Sequence, residues 1–146
     1  IYESVIIKNN VIIEDPRENG LRKTLNYGHT LGHAIESLFL EDQTKTTLLH
    51  GEAIAIGMVL ATYISNKILG FPEQKLNDVK STMLNLYGKV DFNEADYEQI
   101  INLLKFDKKN SHGNVNFVLL QEIGDAVTDI KIPEELFQKA FAYYSE

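Results

Sequence analysis

Apolar positions change their period along the chain, and each change marks an element. Leu21, Leu25, Leu31, Ile35 and Leu38 recur at helical spacing behind Asp15-Pro16, a capping residue followed by a proline tolerated in a first helical turn. This predicts a helix start at Asp15 and a long helix to Leu40. Glu41 to Leu49 is polar, with Asp42, Gln43, Thr44, Lys45 and two further threonines, and reads as a loop. Gly51 to Leu69 is apolar on nearly every face. Its small residues Ala53, Ala55, Gly57 and Ala61 permit close packing, which predicts a helix at the centre of a bundle. Gly70-Phe71-Pro72 ends it, and two amphipathic helices follow, Glu73 to Leu86 and Glu94 to Lys105, separated by Gly88 to Asn93.

The period then falls to two. Val115, Phe117 and Leu119 alternate with Asn114, Asn116 and Val118, Gly124-Asp125 signals a turn, and Ala126 to Ile130 is the returning strand. Pro133 opens a last helix to Tyr144. Ser4 to Ile13 is rich in β-branched residues, and propensity alone reads it as strand. No internal repeat is present. The pattern is that of one mainly α domain, a helical bundle with a small β-hairpin.

Composition narrows the function classes. The chain has 146 residues, 44% hydrophobic and 24% charged, as an ordinary globular domain has. Its net charge of −7 argues against nucleic acid as a partner. No apolar run reaches the roughly 18 residues of a membrane span, since Gly57 and Thr62 interrupt the longest, Ala53 to Ile64. No signal peptide or basic anchor is visible, so the expected location is the cytoplasm. Cysteine is absent, so any metal site must use His, Asp or Glu. The first residue is Ile1, and Ile1 to Ile7 reads as a segment cut from something larger.

Chemistry concentrates in three histidines within 22 positions, His29, His33 and His50. His29 and His33 are four apart and share a helix face, a spacing that lets imidazoles converge on a metal. His50 opens the next helix and returns to the pair if that helix packs back antiparallel. A carboxylate would complete a site with a coordination position open to substrate. Spacing alone leaves open whether these are ligands or structural histidines. Gly28 and Gly32 each cost a helix about 1 kcal/mol, which is accepted where something approaches the backbone closely. His29-Thr30-Leu31-Gly32-His33 lacks the glutamate of the zinc-protease signature. Asp107-Lys108-Lys109 is either a solvated pair of lysines or a grip on a phosphate or carboxylate. Lys8, in an apolar segment, either snorkels or points into a polar cavity. His112 falls in a turn-like loop, and Tyr143 and Tyr144 pack or sit at an edge.

These residues also form ordered motifs. Arg22-Lys23-Thr24-Leu25-Asn26-Tyr27-Gly28-His29-Thr30-Leu31-Gly32-His33-Ala34-Ile35-Glu36 resembles the signature helix of 3-dehydroquinate synthases. Leu49-His50-Gly51-Glu52-Ala53-Ile54-Ala55-Ile56-Gly57-Met58 resembles their second signature. Asp107-Lys108-Lys109 with Gly113 and Phe117-Val118-Leu119-Leu120 resembles a third. The likeness runs from about Lys8 to Gly124.

The resemblance implies the helical C-terminal metal- and substrate-binding domain of an enzyme whose N-terminal α/β domain binds NAD, a fold shared with iron-containing alcohol dehydrogenases. It implies a homodimer and the shikimate-pathway conversion of 3-deoxy-D-arabino-heptulosonate 7-phosphate, a phosphorylated sugar acid, to 3-dehydroquinate and phosphate. That reaction combines alcohol oxidation, phosphate elimination, carbonyl reduction, ring opening and aldol-type closure. Carried over by position, His29 and His50 are two of three ligands to a divalent cation, zinc or cobalt. The third is a glutamate for which neither Glu3 nor Glu14 has matching surroundings. His33 is then no ligand, and with Asn26 it meets the phosphate end of the substrate. Lys8, Glu18 and Arg22 line the carboxylate and hydroxyl region, and Lys108 or Lys109 also reaches substrate. No residue is matched to the cofactor. The 146 residues alone are expected to give no turnover, and Ser4 to Ile13 is expected to be helical or irregular despite its propensity. The alternatives are a related sugar-phosphate cyclase, a metal-dependent polyol dehydrogenase, or a non-catalytic helical scaffold with packed histidines.

Overall fold

The structure is a computed structural model describing residues 1–110 and 115–146, with the side chains of residues 107–110 outside the description. The elements run α1 (Tyr2–Glu14), a 3-10 helix (Leu21–Asn26), α2 (His29–Glu41), α3 (His50–Leu69), α4 (Glu73–Tyr87), α5 (Glu94–Asn110), β1 (Phe117–Glu122), β2 (Asp125–Ile130) and α6 (Glu134–Ser145). The mainly helical domain with a small hairpin is therefore observed. The predicted loop at His112 lies outside the described residues.

α3 is the axis of the core. Ala53, Val59, Leu60 and Ile64 are fully buried, and α2, α4, α6 and β1 pack around the helix. By length and mean hydropathy alone α3 would suffice to cross a bilayer. However, ten of its 20 residues are buried inside this fold, which explains its apolar character. Tyr144 on α6 is buried and its hydroxyl accepts the Val90 N–H at 3.0 Å. Tyr143 donates to Asn77 Oδ1 at 2.9 Å and stacks on Tyr63. Both tyrosines are packed, as expected. The hairpin is antiparallel but irregular. Register shifts interrupt the ladder, so Phe117, Val118 and Leu119 are all buried where alternation predicted every second residue.

One reading from propensity is overruled, as the family likeness implied, and one local expectation fails. Ser4 to Ile13 is helical, within α1, against its β propensity and in line with the family likeness. That propensity measures fit to a pleated surface beside another strand. Here no strand pairs with the segment among the described residues, and a helix satisfies the backbone by itself.

The long helix from Asp15 to Leu40 is also broken. Asp15 ends α1, and its carboxylate accepts the N–H groups of Asn19, Gly20 and Arg22 at 3.0, 2.7 and 3.1 Å. Those bonds, led by Gly20, hold the Asp15 carboxyl below the ordinary carboxylate range. A capping role is right for this residue, but it organises a loop into a 3-10 turn rather than opening an α-helix. Gly28 then adopts φ +76 and starts a separate helix at His29.

Candidate metal and substrate site

Backbone contact between α2 and α3 sets the site. A Cβ on Gly57 would lie 2.1 Å from the Gly28 carbonyl oxygen and 2.7 Å from the Gly32 nitrogen, and one on Gly32 would lie 3.1 Å from the Ala53 carbonyl. Glycine is required where the helices touch, as the cost of Gly28 and Gly32 suggested. Residue 28 meets 57, 32 meets 53 and 36 meets 50, a descending order that makes the helices antiparallel. Tyr27 adds a polar tie beside this contact, its hydroxyl 2.5 Å from Thr62 Oγ1 on α3.

That packing brings His50 back to His29 and His33. The ring centroids are 5.6 Å apart for His29 and His33, 6.1 Å for His29 and His50, and 5.5 Å for His33 and His50. His29 Nδ1 lies 3.2 Å from the Tyr27 carbonyl oxygen, and His50 Nδ1 lies 3.0 Å from Glu36 Oε2. Both partners accept, so each Nδ1 carries the hydrogen and each Nε2 keeps its lone pair. Imidazoles held in this way fit zinc or cobalt, which favour nitrogen donors. Ligand atoms of His33, Glu36 and His50 lie within 4.8 Å of one another. In that set the Glu36 oxygen is already engaged by His50. In His29 and His50, by contrast, each ring has Nδ1 engaged and Nε2 free of a partner among the described residues.

A cavity of about 660 Å³ opens beside the histidines, within the range of small-molecule sites. Glu18, Asn26, His29 and His33 all line it. Asn26 Nδ2 donates to Glu18 Oε1 at 2.6 Å. Arg22 sits behind them, with Nη1 donating to the Pro16 carbonyl at 3.0 Å and Nε 3.9 Å from Glu18 Oε2. Lys8 lies on the exposed α1 and is not among the lining residues. The side chains of Lys108 and Lys109, at the end of α5, lie outside the described residues.

Part of the lining comes from the hairpin, which spacing along the chain did not connect to the histidines. Lys23 Nζ reaches Asp129 Oδ2 at 2.7 Å, and both line the cavity with Asn116 and Thr128. The hydrogen bond from Lys23 holds the Asp129 carboxyl below its ordinary range. Glu18 at φ 56 and Asp129 at φ 61 are the non-glycine residues with left-handed backbone among those described, and both face this cavity. Such conformations cost on the order of 1–3 kcal/mol and cluster where function fixes them. Lys23 is also the only lining residue of fixed positive charge among those described, and Asp129 pairs it. Glu36 closes the signature motif in the sequence, where no role attaches to it. Its position three residues beyond His33, on the same helix face, was the available signal.

Tyr27 supplies a test of the α2–α3 contact. Burial raises its pKa from near 10 to about 12. The folded protein therefore keeps the phenol neutral up to about pH 12, while the unfolded chain ionises from about pH 10. The stabilisation is complete below pH 10 and lost as pH rises to 12, at about 1.4 kcal/mol per unit. In urea unfolding between pH 9 and 12, Tyr27→Phe should flatten the alkaline loss. An unchanged slope would show that the phenol is not held neutral.

Fold comparison defines the class. The backbone matches 2-epi-5-epi-valiolone synthase from Streptomyces hygroscopicus subsp. jinggangensis, with NAD+ and Zn2+ bound, at TM-score 0.73 over 93% of this chain and 36% of that one. Identity there is 21%, so this likeness is one of fold. 2-Deoxy-scyllo-inosose synthase, complexed with carbaglucose-6-phosphate, NAD+ and Co2+, matches at TM-score 0.62 and 30% identity over 87% of this chain and 34% of that one. The architecture is thus that of a helical domain found in synthases.

Sequence comparison narrows this. The family described as 3-dehydroquinate synthase C-terminal matches residues 1–110, and the chain belongs to it. The 3-dehydroquinate synthase of Parabacteroides distasonis is 40% identical over 147 residues, covering 100% of this chain and 41% of the relative. That of Bacillus pumilus is 37% identical over 139 residues, covering 94% and 37%. The chain thus spans about two fifths of the length of these curated relatives.

Proposed function

We propose that this chain is the metal- and substrate-binding part of a 3-dehydroquinate synthase, acting with NAD and a divalent cation on 3-deoxy-D-arabino-heptulosonate 7-phosphate. One observation carries the reading. Glu18, Asn26, His29 and His33, picked out by likeness to that family, converge on a single cavity with His50 beside them.

His29 and His50 would hold the cation through Nε2, with their rings oriented by the Tyr27 carbonyl and Glu36. When bound, the cation supplies Lewis acidity toward a substrate hydroxyl and NAD supplies the oxidant. His33 and Asn26 offer hydrogen-bond donors to a phosphate at the cavity wall. Glu18, kept in place by Asn26, offers an acceptor to substrate hydroxyls. Oxidation beside a C–H acidifies it, so phosphate can then depart, with the substrate's own phosphate serving as base.

Within the described lining Lys23 is neutralised by Asp129, so an anionic substrate needs further cations. Arg22, Lys8 and one of Lys108 and Lys109 are the groups proposed to supply them. Another domain or subunit is proposed to cover α1, whose Val5, Ile7 and Ile13 are 59%, 63% and 69% exposed. An NAD-binding N-terminal domain, a homodimer and a cytoplasmic location belong to the same reading.

The test is phosphate release from 3-deoxy-D-arabino-heptulosonate 7-phosphate by the full-length protein carrying this chain. Release should require NAD, stop with a chelator and return with zinc, while the 146 residues alone should give none. No release from folded, metal-loaded protein would point instead to a neighbouring cyclase, as the 2-deoxy-scyllo-inosose synthase likeness allows, or to a polyol dehydrogenase.

A further inference from the structure

His50 poses a problem of orientation. It is the first residue of α3, its side chain is 55% exposed, and its ring is free of the packing that fixes a core side chain. An imidazole so placed samples several rotamers and both neutral tautomers. Only one tautomer, with hydrogen on Nδ1, leaves Nε2 free to bind a cation while Nδ1 is otherwise engaged.

Within the described residues one carboxylate resolves this. Glu36 lies two turns along α2 from His29, three-quarters shielded from solvent, and places Oε2 3.0 Å from His50 Nδ1. The antiparallel glycine contact makes this meeting possible, because it sets residue 36 opposite residue 50. The α3 backbone is fixed independently, since Glu52 Oε2 accepts the Leu49 N–H at 2.7 Å. Glu36 is therefore not needed to start the helix.

We infer that Glu36 is a positioning residue: its carboxylate fixes the tautomer and direction of His50, so that Nε2 is presented to the cation beside His29. This rests on the metal assignment proposed above. It also explains why the grouping of His33, Glu36 and His50 looks like a ligand set, since a carboxylate that orients one ligand stands within reach of the others.

The experiment measures zinc affinity of the full-length protein by competition with a chromophoric chelator, for the natural protein and for Glu36→Ala, Glu36→Gln and His29→Ala. Glu36→Ala should weaken zinc binding by about 10–100-fold, the effect expected when a ligand loses its supporting partner. Glu36→Gln keeps a carbonyl oxygen for the Nδ1–H and should restore most of that loss. In ¹⁵N-histidine NMR spectra without metal, His50 should be the Nδ1–H tautomer in the natural protein and in Glu36→Gln, and a mixture in Glu36→Ala.

Three results would overturn the inference. One is unchanged affinity in Glu36→Ala while His29→Ala loses zinc, which would leave the metal assignment standing. Another is Glu36→Gln as damaging as Glu36→Ala, with both variants also changing the visible absorption spectrum of the cobalt-loaded protein, which would make Glu36 a direct ligand. The third is unchanged affinity in both Glu36→Ala and His29→Ala, which would remove the metal assignment itself.

Discussion

Gly57→Ala should destabilise the domain by upwards of about 3 kcal/mol, and the protein should be recovered largely unfolded or aggregated. The added methyl would lie 2.1 Å from the Gly28 carbonyl oxygen and 2.7 Å from the Gly32 nitrogen. Overpacking of a side chain against side chains typically costs 1–3 kcal/mol because rotamers can give way. Here the obstacles are backbone atoms of another helix, so relief requires α2 and α3 to separate. Separation would expose their shared apolar surface, including Leu31, Ile35, Val59 and Leu60, each at most 1% exposed. It would also part His50 from Glu36. Urea unfolding with circular dichroism checks the prediction, with Gly51→Ala as control. Gly51 is also in α3, but a Cβ there meets nothing within 4 Å, so alanine should be neutral or mildly stabilising. Equal stabilities for the two variants would show that the helices are not in backbone contact.

His29→Ala in the full-length protein should reduce phosphate release by more than a hundredfold while leaving the fold intact. The side chain is only half-buried, and among the described residues its hydrogen bond is to the Tyr27 carbonyl at 3.2 Å, so little of the core depends on it. Loss of a ligand should exceed the 10–100-fold that a supporting residue contributes. The separation of the two readouts matters. Unchanged unfolding of the metal-free protein with lost zinc and lost turnover is the signature of a ligand, and a loss of stability without metal would mark His29 as structural.

Legibility of the fold followed the strength of the periodic signal. α3 was readable because a helix at the centre of a bundle is apolar on every side, and its 20 residues left no competing assignment. α2 was half readable. The apolar series steps by four from Leu21 to Leu25, then by six to Leu31, before resuming at four and three. The step of six is where the chain breaks at Gly28. The pattern after it is helical, and that before it belongs to a 3-10 turn held by Asp15. α1 was misread by propensity because its β-branched residues are judged on a surface they do not meet.

The site divides in the same way. Three histidines within 22 residues, two of them four apart, marked the chemistry, and the glycines marked a close helix contact. These signals are local and survive in a one-dimensional reading, since helical spacing converts directly into a shared face. Family likeness added Glu18 and Asn26, and the cavity contains both.

From the sequence alone came a mainly helical domain with a hairpin, a charge unsuited to nucleic acid and a nitrogen-rich cluster suited to a metal. Each depends on residues close together or on totals over the chain. Only the tertiary structure decided that Lys23 and Asp129, 106 positions apart, close one cavity with the histidines. It likewise decided that Glu36 faces His50 and that α2 begins at a left-handed glycine. Those are consequences of how far two glycine-lined helices can approach, a distance that no spacing along the chain records.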